Sequence, residues 1–256
     1  MSTVSVIILT HNEEQNIKEC IESVQALNAE ILVLDDHSTD QTIEIAQSMG
    51  AVVLNVPDNI VGFGEKRRYA VAHAKNDWVL HVDSDERLTK ELCDSLLGIQ
   101  SKLEEKDIVE LPRLTYLLGK PVRHCGWYPD FKRRFYNRRH TDFNSSLVHE
   151  DVLVKKDSAL KKLKVPLLHF SYPTLESLFR KQIFYAQLWG REKAKQGRTT
   201  SLIAIPLRAI FFFIKTYIIR KGFLDGKTGL WLSIANMNYE CSKYLCLYAW
   251  QKKKQP

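Results

Sequence analysis

The residues of this chain best suited to chemistry are acidic side chains that follow apolar runs. Residues 78–82 form a run typical of a buried strand, and Asp83-Ser84-Asp85-Glu86 follows at once. Two carboxylates one residue apart suit a divalent cation, since Mg²⁺ takes one or two protein carboxylates and fills its other positions with phosphate oxygens and water. Asp-x-Asp alone also fits a solvated loop whose aspartates cap a helix beginning near Thr89, so the surrounding elements must decide.

Strand-like and helix-like segments alternate through the first ninety residues. Apolar runs at 4–9, 30–34, 51–56 and 78–82 predict four strands, and the segments between them carry helical spacing. This alternation predicts an α/β fold with a doubly wound sheet whose first strands are parallel. The ligand edge of such a sheet lies at the carboxyl ends of its strands, where we expect Asp35, Asp36, Asp83 and Asp85. Asn12 with Gln15 predicts a capping box for the first helix.

Composition and charge limit the function classes. The 256 residues carry a net charge of +7, but residues 1–100 hold 7 Lys and Arg against 17 Asp and Glu, whereas residues 101–256 hold 30 against 13. The basic part suits nucleic acid, an anionic membrane, a phosphorylated substrate or a merely solubilising surface. Five cysteines without metal-ligand spacing indicate reduced thiols in a cytosolic protein, and no leader-like segment opens the chain, so we do not expect export. No P-loop is present, and Gly62-x-Gly64 is a poor dinucleotide fingerprint.

Four motifs in the first half together resemble glycosyltransferases of family 2, which are inverting enzymes with the GT-A fold, a Rossmann-like doubly wound mixed sheet. They are the strand and turn at Val6–Glu13, the segment Asp35–Asp40, the basic pair Lys66-Arg67, and Asp83–Glu86. The resemblance implies a UDP-sugar donor, with the acid of the Asp-Asp segment reading the uracil ring. The implied nucleotide-sugar-binding residues are Thr10, His11, Asn12, Glu13, Asp35, Asp36, Lys66, Arg67, Asp83 and Arg134.

The second half resembles a subgroup of that family, the bacterial lipopolysaccharide core glycosyltransferases that add glucose or a related hexose to heptose. The likeness lies in Gly126–Asp130, Arg134-Phe135-Tyr136 and Val148-His149-Glu150, and it continues in Leu168-His169-Phe170 and Gly222–Gly226. It implies a lipid-linked acceptor of the lipopolysaccharide core at the inner face of the bacterial inner membrane. Another family 2 activity, on a polyprenyl phosphate or a capsule precursor, is the nearest rival. A basic nucleic-acid-binding protein and an inactive membrane scaffold are more distant rivals.

Inverting transfer needs a base for the acceptor hydroxyl and a partner for the departing diphosphate. By resemblance, Glu150 is the base, with Asp151 as its rival; without the resemblance, Glu150 is also explained as an exposed acid near lysines. We expect Asp85 to be the main ligand of a divalent cation, Mg²⁺ or Mn²⁺, with Asp83 directed at the ribose or a metal-bound water. The resemblance implies that His169 completes the metal or phosphate shell. A histidine in an apolar strand is equally explained as a hydrogen-bonded core residue.

Arg133 and Arg134 suit phosphate, either on the donor or on the acceptor, or else a solvated strand edge. We expect a catalytic domain over residues 1–172, divided into a nucleotide-sugar half (1–100) and an acceptor half (101–172). A helical region, 173–256, follows it.

The C-terminal region has the sequence features expected of a membrane-binding surface. Residues 202–219 are rich in Ile, Leu and Phe but include Arg208 and Lys215, so the segment is too polar to be a spanning helix. The seven-residue spacing of these cations predicts an amphipathic helix lying on an anionic bilayer, while packing on the catalytic domain is the alternative. Aromatic residues of 238–250 and the basic run at 252–254 favour the same interface.

Overall fold

The computed structural model describes residues 4–144 and 150–253. The chain divides into two compact units. The first comprises Met1–Arg113 and Asp130–His169, and the second comprises Leu114–Pro129 and Phe170–Pro256. The predicted boundary after residue 172 stays a prediction, and the second unit also includes the segment 114–129.

The first half of the first unit alternates strands and helices as the sequence predicts. Strands β1 to β4 lie side by side in the order β3-β2-β1-β4, and every neighbouring pair is parallel. The elements are β1 (Val4–Thr10), α1 (Ile17–Val24), β2 (Glu30–Asp35), α2 (Thr42–Ser48), β3 (Val52–Asn55), α3 (Phe63–Ala72) and β4 (Trp78–Asp83).

Beyond β4 the sheet becomes mixed. Strand β8 pairs antiparallel with both β4 and β6, and the full order is β3-β2-β1-β4-β8-β6-β10-β5, with β7 and β9 paired to β6. The elements are β5 (Glu86–Arg87), α4 (Lys90–Gln100), β6 (Asp107–Leu117), β7 (Lys120–Pro121), β8 (Asp130–Asn137), β9 (Ala159–Lys162) and β10 (Leu167–Tyr172). The doubly wound mixed sheet is confirmed.

Apolar side chains form two separate clusters, one on each face of the sheet. Successive side chains of a strand point to opposite faces, so Val6 and Ile8 of β1 join one cluster while Ile7 joins the other. The first cluster contains the buried stripe of α1, and the second contains Ala70 and Val71 of α3. Strands buried on both sides therefore have continuous apolar sequences, as β1 does.

The structure corrects the predicted cap of helix α1 and shows which residue caps helix α4. The predicted capping box at Asn12 is wrong, because α1 begins after Asn16 and the Asn12 side chain accepts instead from the backbone N–H of Thr39. Helix α4 is capped by Thr89, whose hydroxyl accepts from the N–H of Leu92 at 3.1 Å. The cap of α4 therefore needs no aspartate.

The second unit contains three long helical segments. These are α5 (Leu175–Lys195), α6 (Ala204–Ile214), which continues as a π-helical turn (Lys215–Ile219), and α7 (Gly226–Lys253), which follows a 3-10 turn (Gly222–Asp225). Helices α5 and α7 approach closely because Gly190 has no side chain; a Cβ there would lie 2.7 Å from the Cβ of Cys246. Among the described residues, no helix is both long and apolar enough to cross a membrane.

The core beneath the ligand edge contains a buried histidine. His81 of β4 is fully buried, stacks on Tyr136, packs edge-on against Phe143 and lies 3.2 Å from the Tyr136 hydroxyl. Burial, reinforced by the positive charges of Arg67 and Arg134, holds the pKa of His81 well below its usual range. The imidazole is therefore neutral in the folded protein at neutral pH.

This burial predicts acid sensitivity of the fold. Since the folded pKa of His81 lies below the unfolded value, its contribution is complete above about pH 6.5 and decreases as the pH falls below that value. We expect His81→Phe, which keeps an aromatic ring, to reduce the loss of unfolding free energy between pH 7.5 and 5.5. Urea denaturation of both proteins at the two pH values measures the difference, at most about 1.4 kcal/mol per pH unit for one proton. Equal pH slopes would contradict the assignment.

Candidate active site

Asp83, the last residue of β4, lies between two buried arginines. Its Oδ1 accepts from Nη2 of Arg67 on α3 at 2.6 Å, and its Oδ2 accepts from Nη2 of Arg134 on β8 at 2.6 Å. Arg67 also packs against the ring of Phe143 at 5.3 Å. The first carboxylate of the Asp-x-Asp motif is thus held by side chains from two other elements.

Glu86 closes the turn that carries the motif. This fully buried residue accepts from the backbone N–H of Asp83 through Oε2 at 2.9 Å and from Arg134 through Oε1 at 2.9 Å. Arg113 of β6 lies 3.6 Å from the same Oε1, and Arg87 donates to the carbonyl of Ser84 at 2.7 Å. Charged side chains therefore hold the N–H of Asp83 and the carbonyl of Ser84 in this turn.

The electrostatics of this cluster are governed by mutual pairing. Burial by itself raises the pKa of the Asp83 carboxyl, but the positive charges and hydrogen bonds of Arg134 and Arg67 outweigh it and hold the pKa well below its usual range. Burial opposes the charge of Arg134, yet Asp83 and Glu86 raise its pKa further above the ordinary value. Asp83 and Arg134 are therefore both ionised at neutral pH.

The first two strand ends form a second part of the ligand edge. The backbone N–H of Asp36 donates to the carbonyl of Thr10, and His11 Nδ1 lies 2.6 Å from the carbonyl oxygen of Asp36. Asp36 also forms an ion pair with Lys66 of α3. Buried Asp35 accepts from the N–H of Ser38 through Oδ2 at 2.9 Å. Five of the predicted nucleotide-binding residues, Thr10, His11, Asp35, Asp36 and Lys66, are therefore adjacent here.

The turn at Asn12 and Glu13 is engaged within the protein. Asn12 has a left-handed backbone, with a φ of 52°, and its N–H donates to the hydroxyl of Ser38 at 2.8 Å. The Glu13 carboxylate accepts from the side chain of Asn16 at 2.7 Å. These contacts link the turn after β1 to the turn after β2. The predicted nucleotide-binding roles of Asn12 and Glu13 stay predictions.

Asp85 and His169 provide the arrangement suited to a metal ion. The His169 Nε2 lies 3.3 Å from Oδ2 of Asp85, and the backbones meet where β10 pairs with β5. A carboxylate oxygen and an imidazole nitrogen at this separation fit two neighbouring positions of an octahedral ion that takes its other ligands from phosphate and water. Asp83 is engaged instead by Arg67 and Arg134, and no group of three potential ligands occurs among the described residues.

Glu150 and Asp151 lie on the same cavity but have different partners. The Glu150 carboxylate is 3.6 Å from Nη2 of Arg67, and its side chain is 20% exposed. Asp151, 52% exposed, accepts from Nη1 of Arg133 at 2.8 Å and from the N–H of Val152. Glu150 is therefore directed toward the Asp83 cluster, whereas Asp151 is held by Arg133.

The cavity itself has a volume of about 320 Å³ and is mostly polar in lining. It brings together residues that are up to 68 positions apart in the chain: Asp83, Arg113, Lys132, Arg133, Arg134, Phe143, Glu150 and Asp151. Of these, Arg113 was missed by the sequence analysis. Its signal is a charged residue within the apolar run of β6. Val148 and His149, from the motif that includes Glu150, lie outside the described residues.

Arg68 is separated from its two basic neighbours. It lines a larger cavity, of about 780 Å³, with Glu65, Asp77, Arg138 and Arg139 among others. Lys66 and Arg67 instead pair with Asp36 and Asp83. Because α3 places consecutive side chains in different directions, Arg68 takes no part in the two ion pairs.

Comparison with known proteins identifies the class that this edge of the sheet defines, a sugar-transferring enzyme. The family description "Glycosyl transferase family 2" matches residues 5–147, more than half of the chain, and the chain belongs to that family. Members transfer a sugar from a sugar nucleotide, and the mixed sheet described above is their GT-A fold.

Two relatives extend over most of the chain. A glycosyltransferase of Rickettsia bellii, described as uncharacterized, is 30% identical over 253 residues, covering 95% of this chain and 84% of its own. The lipopolysaccharide core biosynthesis glycosyltransferase LpsC of Rhizobium meliloti is 25% identical, covering 88% and 87%. Among solved structures, glucosyl-3-phosphoglycerate synthase of Mycobacterium tuberculosis, crystallised with Mn²⁺, UDP and glucosyl-3-phosphoglycerate, is 30% identical over 45% of this chain and 44% of its own, with a TM-score of 0.37.

The pairing of Arg134 predicts a large effect on stability. Arg134→Met removes the partner of Asp83 and Glu86 and leaves buried negative charge unpaired, so we expect a loss of about 3–5 kcal/mol of unfolding free energy. The measurement is chemical denaturation at pH 7.5. Arg139→Met is the matched control, since Arg139 is 69% exposed and pairs with Asp77 at the surface, where the loss should stay below about 1 kcal/mol. Similar losses in both variants would refute the role of the buried pairing.

Proposed function

We propose that this protein is an inverting hexosyltransferase that moves a hexose, glucose in the first instance, from a UDP-sugar to a heptose of the lipopolysaccharide inner core. The observation that carries the proposal is the cavity in which Glu150 faces the Asp83 cluster. An inverting reaction needs such a carboxylate, set apart from the groups that hold the donor. The resemblance of residues 126–150 to core glycosyltransferases, and the relative LpsC, support the choice of acceptor.

In this mechanism the donor diphosphate lies at the edge formed by the ends of β1, β2 and β4. Asp35 and Asp36 lie at the uracil base of the donor and at the turn beneath it. Lys66 and Arg67 face the nucleotide sugar from α3. The buried Nε and Nη1 of Arg67 have no hydrogen-bond partner within the described structure, which suits an anionic ligand. Asp83 keeps the guanidinium of Arg67 in place while the donor binds.

Asp85 and His169 would hold a divalent cation, Mg²⁺ or Mn²⁺. When bound, such an ion neutralises charge on the diphosphate leaving group. Mg²⁺ binds oxygen ligands, whereas an imidazole ligand is better tolerated by Mn²⁺, so the presence of His169 favours Mn²⁺. Neither residue takes part in moving the acceptor proton in this proposal.

Glu150 takes the proton of the acceptor hydroxyl as that oxygen attacks the anomeric carbon. Its carboxylate lies 3.6 Å from Nη2 of Arg67, beside the groups that hold Asp83. Asp151 positions Arg133, and through it the wall of the cavity, by the ion pair at 2.8 Å. In this proposal the two adjacent acids, which sequence alone leaves as rivals, have different roles.

We further propose that the enzyme acts at the cytoplasmic face of the bacterial inner membrane, where a lipid-linked acceptor is held. The basic composition of residues 101–256 supports a partner with negative charge. A nucleic-acid partner would leave the acidic strand ends without a purpose.

The metal assignment predicts a metal-dependent loss of UDP binding. We expect Asp85→Ala to weaken UDP binding in the presence of Mn²⁺ by at least about tenfold, because one of two protein ligands is removed. Calorimetric titration with Mn²⁺ and with chelator gives both values. Asp94→Ala, an exposed carboxylate of α4, is the control and should bind UDP as the original chain does. The assignment would be disproved if Asp85→Ala bound UDP equally well with and without the metal, and as tightly as the unaltered chain does.

The base assignment predicts a separation of binding from turnover. We expect Glu150→Gln to reduce transfer by about 10²–10⁴-fold while UDP-hexose binding is retained, because the amide cannot accept the proton. Transfer is followed with radiolabelled UDP-hexose and core lipopolysaccharide, after nucleotide sugars have been ranked by protection against thermal unfolding. Asp151→Asn is the matched variant and should keep most of the transfer rate. If Asp151→Asn lost sugar transfer and Glu150→Gln kept it, the base would be Asp151. If the unaltered chain transferred no sugar to core lipopolysaccharide, a different acceptor would be favoured.

A further inference from the structure

The second unit exposes an apolar surface that its own packing does not cover. On α6, exposed side chains recur at spacings of three and four residues, and the surface continues through the two turns that follow. Each side chain is 43–63% exposed. We call this surface the apolar face; its members are Leu207, Ile210, Phe211, Ile214, Ile218, Ile219, Phe223 and Leu224.

The apolar face does not belong to the buried core of the second unit. The side chains of α6 that are buried are Ile205 and Ala209, and Thr216 is buried in the following turn. Arg208 turns toward α7, where its guanidinium lies 4.8 Å from the ring of Tyr244. Soluble monomers rarely expose contiguous apolar patches of this kind without a binding role. The face therefore has the character of a binding surface.

The charge around the apolar face has one sign. Residues 193–224 contain seven Lys and Arg and no Asp or Glu. Arg220 and Lys221 are exposed between Ile219 and Phe223, so the cations lie within the apolar surface as well as beside it. Within the described parts of the chain, no carboxylate lies within ion-pair distance of Lys215, Arg220 or Lys221.

The position of Arg220 is built into the fold. Its carbonyl accepts from the N–H of Cys125 at 3.1 Å, and its side chain occupies the space where Gly126 has no Cβ; a Cβ there would lie 2.2 Å from Nη1. Asp225 accepts from the N–H of His124 at 2.8 Å, which fixes the other side of the turn. The turn that presents the cations and Phe223 is therefore rigidly supported.

We propose that the apolar face docks on an anionic lipid bilayer, with its aliphatic and aromatic side chains in the headgroup and acyl boundary and its cations at the headgroups. A bilayer supplies both an apolar interior and negative charge, the two properties that this surface requires. A second copy of the chain is a poorer occupant, because a two-fold interface would bring Arg220 and Lys221 of one copy toward those of the other. No membrane-crossing segment is needed for this attachment.

The inference gives a contact surface to the membrane that the proposed function invokes. It rests on that function only for the lipid-linked acceptor, since docking itself needs neither donor nor metal. Sedimentation of the full chain with vesicles of phosphatidylcholine and 30–40% phosphatidylglycerol, roughly the anionic content at which surface potential is strong, tests it directly. Binding should be strong on these vesicles, weak on pure phosphatidylcholine, and reduced by salt.

Two pairs of variants make the test specific. Replacing both Ile210 and Phe211 with Ser should reduce partition onto the anionic vesicles by at least about tenfold, whereas Leu160→Ser, an exposed apolar residue of β9, should not. Lys221→Glu should reduce it by roughly tenfold, while Lys156→Glu, an exposed lysine of the first unit, should change it little. Thermal unfolding of each variant checks that the fold is retained, which exposed positions should allow.

Three outcomes would overturn the proposal. The first is equal binding to neutral and anionic vesicles. The second is an equal loss of vesicle binding in the test and control variants. The third is a chain that does not bind vesicles but forms a concentration-dependent dimer, which the Ile210 and Phe211 double variant converts to a monomer. Glu150→Gln should bind vesicles as the unaltered chain does. Vesicle binding without sugar transfer would therefore reject the proposed function and keep the docking surface, and transfer to a soluble acceptor without vesicle binding would do the reverse.

Discussion

The placement of Asp83 between Arg67 and Arg134 is the constraint on which the candidate site depends. The three groups come from β4, α3 and β8, so their pairing ties together both sides of the strand that carries the motif. Buried charges are stable only when each has a partner, and removal of one leaves the others unpaired at a high cost in free energy. Glu86 extends the constraint to the backbone, because it joins Arg134 to the N–H of Asp83.

This constraint explains how one Asp-x-Asp motif serves two purposes. Asp83 fills a structural role by fixing the arginines, and that leaves Asp85, two residues further on and directed to His169, as the acid suited to a cation. The turn cannot relax to bring Asp83 into the same group, since both of its oxygens are engaged. A site for a charged donor is thereby assembled from groups that neutralise one another before the donor arrives.

The proposed catalytic site and the proposed membrane-docking surface use different kinds of side chain. The first unit concentrates paired charges at the carboxyl edge of its sheet, where an anionic donor is recognised by geometry. The second unit instead carries an exposed apolar face with cations that have no carboxylate partner within the described residues. Such an arrangement has little geometric specificity and suits a fluid surface. The proposed transfer from a soluble donor to a lipid-linked acceptor needs both kinds of recognition.

The order of strands and helices, the family and the residues at the strand ends follow from the sequence alone. Apolar periodicity is a local property, so the strands ending at Asp35 and Asp83 were predictable, as were their positions at one edge of the sheet. The capping box at Asn12 failed because a competing long-range partner, Thr39, takes the side chain. A local pattern cannot show such a competitor.

Only the tertiary structure decided which charges pair. Arg134 reaches Asp83 across 51 positions because β8 lies beside β4 in an antiparallel register, and His169 reaches Asp85 because β10 pairs with β5. Arg113 enters the site through the same sheet order, and Arg133 rather than Arg134 takes Asp151, which leaves Glu150 facing Arg67. Sequence spacing fixes the side chains on each strand, but the register between strands, which is set by the whole core, fixes their partners.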